Sequence, residues 1–232
     1  MKIKLWLFTA YGCILAGFLV IAFLFDDAVT VFSEDTPPTR NSCIIIDPGH
    51  GGPDGGATSR NGIPESKLNL EISVRLNDLL HLLGMDTLMI RTEDISIYTE
   101  GQSIAAKKVS DLKDRVRIVN NTENALLVSI HQNHFYDSKY SGAQVFYGKE
   151  PTGRQLAERL QSVFIKTLNP DSKRQAKPAN GIYLMQKVTC PAILIECGFI
   201  SNYEEEAKLC DPSYQKNLCS VIATVLSGYA NT

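Results

Sequence analysis

The sequence has no excess of positive charge to offer a nucleic acid. Its 232 residues carry a net charge of −2, and basic residues do not gather beyond pairs such as Lys107-Lys108. A nucleic-acid partner requires a basic face, so that class is excluded. A disulfide framework is also missing. Of six cysteines, Cys13 lies in a hydrophobic run, and Cys43, Cys190, Cys197, Cys210 and Cys219 are odd in number and irregular in spacing. No Cys-x-x-Cys zinc pattern occurs, so buried free thiols are expected. The glycine-rich stretch 49–62 has neither the Gly-Lys-Ser/Thr ending nor the Gly-x-Gly-x-x-Gly spacing of a phosphate loop. Its glycines instead suit a backbone that must pass close to other groups. Internal repeats and long low-complexity tracts are absent.

What is present is one sizeable domain's worth of apolar sequence, 44% of the chain, arranged in strand-length runs that end in ionisable residues. His50 follows Cys43–Asp47, His131 closes Ala125–Ile130, and Glu196 closes Ala192–Ile195. These runs show no polar alternation, the pattern of strands covered on both faces. Open parallel sheets bind ligands outside the carboxyl ends of their strands, so three such ends can converge on one edge. Glu65 comes from another element. Pro64 suits a helix start, and Leu68, Ile72, Leu76, Leu79, Leu80 and Leu83 mark an apolar stripe. Glu65 lies seven residues before Ile72, on nearly the same face, and Gly84 is placed to end the helix. Alone, Glu65 equally fits a residue that complements the helix dipole. Two His and a Glu are a common set for catalytic zinc with a position left for water, and a second Glu can move that water's protons.

The motifs Asp47-Pro48-Gly49-His50-Gly51-Gly52-Pro53-Asp54-Gly55-Gly56-Ala57, Glu65, Arg91-Thr92-Glu93-Asp94, Leu112…Arg115…Asn120, Ser129-Ile130-His131-Gln132-Asn133, Lys177-Pro178-Ala179-Asn180 and Glu196-Cys197-Gly198-Phe199-Ile200-Ser201-Asn202 occur in that order. From Cys43 to about Tyr229 the chain resembles the family 3 N-acetylmuramoyl-L-alanine amidases. The resemblance implies an α/β fold, Zn²⁺ held by His50, Glu65 and His131, Glu196 as catalytic acid/base, and cleavage of the amide joining N-acetylmuramic acid to the stem peptide of peptidoglycan. Together with the segment 105–116 and the lack of a wall-binding module, it is most similar to the germination-specific amidases of endospore formers, which act in making muramic-δ-lactam in the spore cortex. The absence of a long insertion between Tyr147 and Thr152 implies a site that is not self-blocked.

Three segments are expected: 1–25, an N-terminal anchor or signal segment; 26–42, a polar linker with Pro37-Pro38; and 43–232, a catalytic domain with a mostly parallel central sheet flanked by helices. Lys2 and Lys4 precede an uncharged run from Leu5 to Phe25. As a helix that run spans about 30 Å, a bilayer core, and the positive flank stays cytoplasmic. The catalytic domain is then expected outside the cytoplasm, on the cortex side of a forespore membrane, delivered by the anchor or by an activating or targeting protein. Further strands are read at 86–91, 143–147 and 182–186, a loop at 95–110, and a helix at 111–121 capped by Ser110.

Other residues have two readings each. Asp47 either orients a ligand or makes a turn before Pro48. Asn133, two residues beyond His131, can reach substrate if the strand stays extended. Arg115 either binds a substrate carboxylate or makes a structural salt bridge. His134 should face away from His131 by alternation, Cys197 away from Glu196, and His81 sits on a helix flank. Ser201 and Asn202 are placed to cap the next helix. The competing functions are a general autolysin, a zinc peptidase cutting within stem peptides, and a non-catalytic wall-binding protein.

Overall fold

The computed structural model describes residues 42–230. The hydrophobic run 5–25 and nearly all of the linker lie outside the described residues. Among the described residues, no helix is long and apolar enough to cross a membrane.

The chain runs β1 (Cys43–Pro48), α1 (Glu65–Leu82), β2 (Thr87–Met89), α2 (Ile104–Asn121), β3 (Ala125–Asn133), β4 (Gln144–Tyr147), α3 (Pro151–Thr167), β5 (Lys177–Pro178), α4 (Tyr183–Lys187), β6 (Ala192–Phe199), α5 (Tyr203–Leu209) and α6 (Pro212–Ala230). One six-stranded sheet has the order β2-β1-β3-β6-β4-β5. β1, β2, β3 and β6 are parallel, and only the β4–β6 pairing is antiparallel.

The lack of alternation in the apolar runs now has its cause. Ile44, Ile46, Val128 and Ile195 face a core shared with Leu68, Ile72 and Leu76 of α1, Phe164 of α3 and Ile222 of α6. Ile45, Leu127 and Leu194 face a second core with Val119 of α2 and Leu184 and Met185 of α4. Successive side chains point to opposite faces, so helices on both faces demand apolar residues throughout. Cys197 falls on the first of these faces, away from Glu196, and all five cysteines of the described region are free.

Two expectations about secondary structure are corrected. The stretch 182–186 is not a strand: α4 is a helix whose buried Leu184 and Met185 pack in the second core. A five-residue apolar run does not carry enough periods to separate the two states, and packing decides. The helix before β3 starts at Ile104, not Asp111, because Ser103 is its cap, accepting from the Ala106 N–H. Ser110 instead accepts from the N–H groups of Thr99 and Glu100 and fastens the preceding loop.

The loop after β1 is held by two buried arginines. Arg91 donates to the carbonyls of Pro48 at 2.9 Å and Gly49 at 3.0 Å. Arg115 is 2% exposed, pairs with Asp47 and with Asp111 at 2.6 Å, and donates to the carbonyls of Pro48 at 3.0 Å and His50 at 2.9 Å. Burial pushes the Asp47 carboxyl up, but Arg115 and the Ser129 hydroxyl outweigh it and hold Asp47 below its usual value. Arg115→Met should therefore destabilise the fold by about 3–5 kcal/mol in a denaturant melt, because it strands a buried carboxylate. The sign with pH follows from the lowered Asp47: its contribution is present above the usual 3.8 and is lost as pH falls through the lowered native value. The gap between wild type and variant should therefore narrow on acidification.

Candidate metal centre and active site

Four strand and helix ends build the site. The turn after β1 carries His50 at φ 61°, a left-handed conformation that few non-glycine residues adopt. The Arg91 and Arg115 hydrogen bonds to the carbonyls around it hold that strained turn in place. Pro64 in extended conformation starts α1, so Glu65 enters the site from the first turn. His131 and Glu196 are paired across β3 and β6.

His50, Glu65 and His131 converge, with one ligand atom from each within 4.8 Å of the others. His50 Nε2 lies 3.3 Å from Glu65 Oε2, and His131 Nδ1 lies 2.9 Å from Glu65 Oε1. Two imidazole nitrogens and a carboxylate oxygen, drawn from three rigid elements, fit a tetrahedral metal that keeps one position open. The backbone makes room for them. A Cβ on Gly49 would come within 2.2 Å of the His131 ring. One on Gly56, at φ 70°, would sit 2.6 Å from Glu65 Oε2 and 2.7 Å from His50 Cδ2. Only glycine fits at either place.

Each converging group is itself held. Asp54 Oδ2 lies 2.9 Å from His50 Nδ1, and Lys108 Nζ lies 3.0 Å from Asp54. Glu65 accepts from the N–H groups of Ala57 at 3.0 Å and Gln132 at 3.2 Å, and from the Asn69 amide at 3.3 Å. The Asn69 amide also donates to the Gly49 carbonyl, and its oxygen accepts from Gln132. Burial pushes the Glu65 carboxyl up, yet His131 and His50 outweigh it and hold Glu65 well below the carboxylate range. Burial pulls His50 down, and Glu65 and Asp54 more than reverse it.

Glu196 is in a different state. Its Oε2 is sealed from solvent without a hydrogen-bond partner. Burial, first, and the charge of Glu65 push its carboxyl up to about 7, against the opposing pull of His131 and His50. It lines a cavity of about 290 Å³ together with His50, His131, Asp54, Lys108 and Tyr183. A carboxyl poised near neutrality beside a metal-type cluster is equipped to take and return a proton.

The remaining sequence candidates fall outside this cluster. Arg115 is not placed to bind substrate: its guanidinium is spent on Asp47, Asp111 and two carbonyls, so the salt-bridge reading is the one realised. Asp47 is bound to Arg115 and to Ser129 at 2.6 Å, and it fixes the turn rather than a histidine. Asn133 sits half-buried at the end of β3, but the pairing register shifts between His131 and Asn133, so the simple two-residue relation to His131 is broken there. His134 is exposed, and His81 meets Thr87 at the far end of α1. Asn202 caps α5, while Ser201 accepts from the Phe135 N–H and anchors the loop after β3. Asp54 and Lys108 were missed as supporting residues. Asp54 was legible as the carboxylate four residues after His50, but Lys108 comes from a helix whose first half carries no apolar pattern.

Residues 44–227 match the model of the family described as N-acetylmuramoyl-L-alanine amidase. Among curated proteins, the germination-specific N-acetylmuramoyl-L-alanine amidase of Bacillus subtilis (strain 168) is 38% identical over 213 residues, covering 90% of this chain and 89% of that protein. Among solved structures, the CwlD amidase from Clostridioides difficile, in complex with the GerS lipoprotein, superposes with a TM-score of 0.77 at 35% identity, covering 81% of this chain and 98% of that one. An N-acetylmuramoyl-L-alanine amidase from Clostridium difficile 630 follows with a TM-score of 0.70 at 30% identity, covering 83% and 99%.

Proposed function

The chain belongs to the N-acetylmuramoyl-L-alanine amidase family, and from that premise we propose that it is a zinc-dependent amidase of spore cortex peptidoglycan that uses Glu196 as its proton carrier. Zn²⁺ held by His50, Glu65 and His131 would acidify a water and polarise the scissile carbonyl. The protein's own groups do the rest. Asp54 fixes the His50 ring through Nδ1, which leaves Nε2 facing Glu65. Asn69 and Gln132 hold the Glu65 carboxylate. Glu196 takes the proton from the attacking water as the new carbon–oxygen bond forms. It then passes that proton to the nitrogen of L-alanine as the carbon–nitrogen bond breaks. The observation that carries this role is the unpartnered, buried Oε2 of Glu196 beside the two histidines.

The cortex assignment is supported by likeness to the germination-specific relative over nine-tenths of the chain. The uncharged run 5–25 behind Lys2 and Lys4 supports a membrane anchor with the catalytic domain outside the cytoplasm, on the cortex side of the forespore membrane. The lipoprotein in the CwlD complex supports a protein partner in targeting or activation.

Mass spectrometry of products from purified peptidoglycan tests the chemistry. The expected products are peptide-free muramic acid and an intact stem peptide with a free L-alanine amine. Cuts between amino acids would make it a zinc peptidase, and the absence of turnover would make it a wall-binding protein. Spores of a deletion strain should lack muramic-δ-lactam. Normal lactam with chained vegetative cells would instead place the enzyme among the general autolysins.

A further inference from the structure

On the side of Glu196 away from His131, the sheet edge opens onto a second cavity, a groove of about 810 Å³ that the chemistry above does not use. Its position follows from register. His131 pairs with Glu196, and Glu196 pairs with Gln144, which lines the groove. Neighbouring strands lie about 4.8 Å apart, so the Gln144 backbone sits one strand from Glu196 and about 10 Å from His131 along the sheet; the groove itself lies beside α3 and α5, and the Glu196 cavity beside α2 and α4.

Its charge is one-sided in a chain whose net charge is −2. Lys139, Lys173, Arg174, Lys177 and Lys208 line it, against Asp171 alone among acids. Lys139 is held by Asp137 at 2.8 Å, and Arg174 lies over the Phe199 ring and donates to the Ser141 carbonyl. Glu205 beneath is engaged by the N–H groups of Gly142 and Phe199. Lys173, Lys177 and Lys208 are exposed and make no close ion pair among the described residues, although the charge of Lys208 acts on Glu205 beneath it. The backbone that carries them is fixed: Gln144 donates to the Gln175 carbonyl at 2.7 Å, and Asn169 accepts from the Ala143 N–H at 3.2 Å.

We propose that this groove binds the carboxylates of the stem peptide, with Lys173, Lys177 and Lys208 as its anchors. The proposal rests on the amidase reading. Two arms leave the scissile amide: N-acetylated sugars without charge, and a peptide that carries carboxylates. A cluster of exposed ammonium groups selects the second. An extended peptide advances about 3.5 Å per residue, so one that rounds the end of the sheet needs at least three residues beyond the amide to reach the groove.

The test uses a soluble muropeptide with free carboxylates, its amidated counterpart, and the triple variant Lys173→Gln, Lys177→Gln, Lys208→Gln, with circular dichroism to check folding. Exposed ion pairs change affinity a few-fold each, so KM for the free-carboxylate substrate should rise about ten-fold at low salt while kcat stays within about two-fold. On the amidated substrate, wild type and variant should match. Calorimetry with the free stem peptide gives a reading independent of turnover. Wild type should bind it about ten-fold more tightly than the variant. Equal KM values and equal peptide binding would overturn the groove and leave the amidase reading intact. Peptide binding that the variant loses, in a wild type that cleaves nothing, would uphold the groove and overturn the amidase reading.

Discussion

Glu196→Gln should leave a protein that still takes up its metal and binds peptidoglycan but turns over about 10²–10⁴-fold more slowly, the usual cost of losing a general acid/base. Near-normal turnover would remove Glu196 from proton transfer. A second readout separates this role from a structural one. The Glu196 carboxyl is raised from its usual 4.5 to about 7, chiefly by burial. The folded protein therefore holds that proton more tightly than the unfolded chain. Between pH 4.5 and about 7 its contribution to stability falls as pH rises. At about 1.4 kcal/mol per unit, and discounted for its partial exposure, the carboxylate costs the metal-free protein on the order of 1–3 kcal/mol at pH 8. Glutamine carries no charge. Chelator-treated variant should thus be more stable than chelator-treated wild type at pH 8, and the two should converge near pH 4. A variant that loses activity and gains stability marks a residue kept for chemistry at the expense of the fold. Equal stability at both pH values would mean that Glu196 is not held under this strain.

The parts of the fold legible in the sequence are those where one physical rule acts alone. β1, β3 and β6 were readable because burial on both faces leaves continuous apolar runs, and α1 because Leu68, Ile72 and Leu76 repeat at helical spacing. The first half of α2 was not. Ile104 and Val109 are exposed at 68% and 53%, so this stretch meets no core and shows no stripe. Its signal was the cap, Ser103, overshadowed by Ser110 seven residues on. The two-residue β5 is too short for any pattern. At the site, strand-end position brought His50, His131 and Glu196 together on paper, since parallel strands in register must end together. The arginine network was beyond reach. Whether Arg115 meets a substrate or Asp47 depends on a contact across 68 residues, and no local spacing encodes it. The cationic groove is similar: Lys139, Lys177 and Lys208 are scattered in sequence and meet only once the loop before β4, the β4–β5 pairing and α5 are assembled at one edge.

Glu65→Ala and Asp54→Ala should fail in different ways, and the contrast distinguishes a ligand from the carboxylate that orients one. Glu65 faces both histidines, and it receives hydrogen bonds from Ala57, Gln132 and Asn69 that hold its carboxylate in the cluster. Truncating it removes one of the three proposed ligands and the negative charge that would offset a bound cation. If the proposed site holds zinc, elemental analysis should give one zinc per chain for wild type and near none for this variant, and turnover should drop to background at any metal concentration. Within the cluster Asp54 touches only His50, at Nδ1, on the side of the ring away from Glu65. Its loss frees the ring without removing a donor, and supporting partners of this kind typically cost about 10–100-fold in metal affinity or activity. Asp54→Ala should consequently be inactive after dialysis and recover when excess zinc is returned. Full metal content in Glu65→Ala would remove Glu65 from the ligand set. Asp54→Ala that zinc cannot restore would give Asp54 a direct part in the chemistry, with His50 first and then Lys108, 3.0 Å away, holding its carboxyl below the usual value.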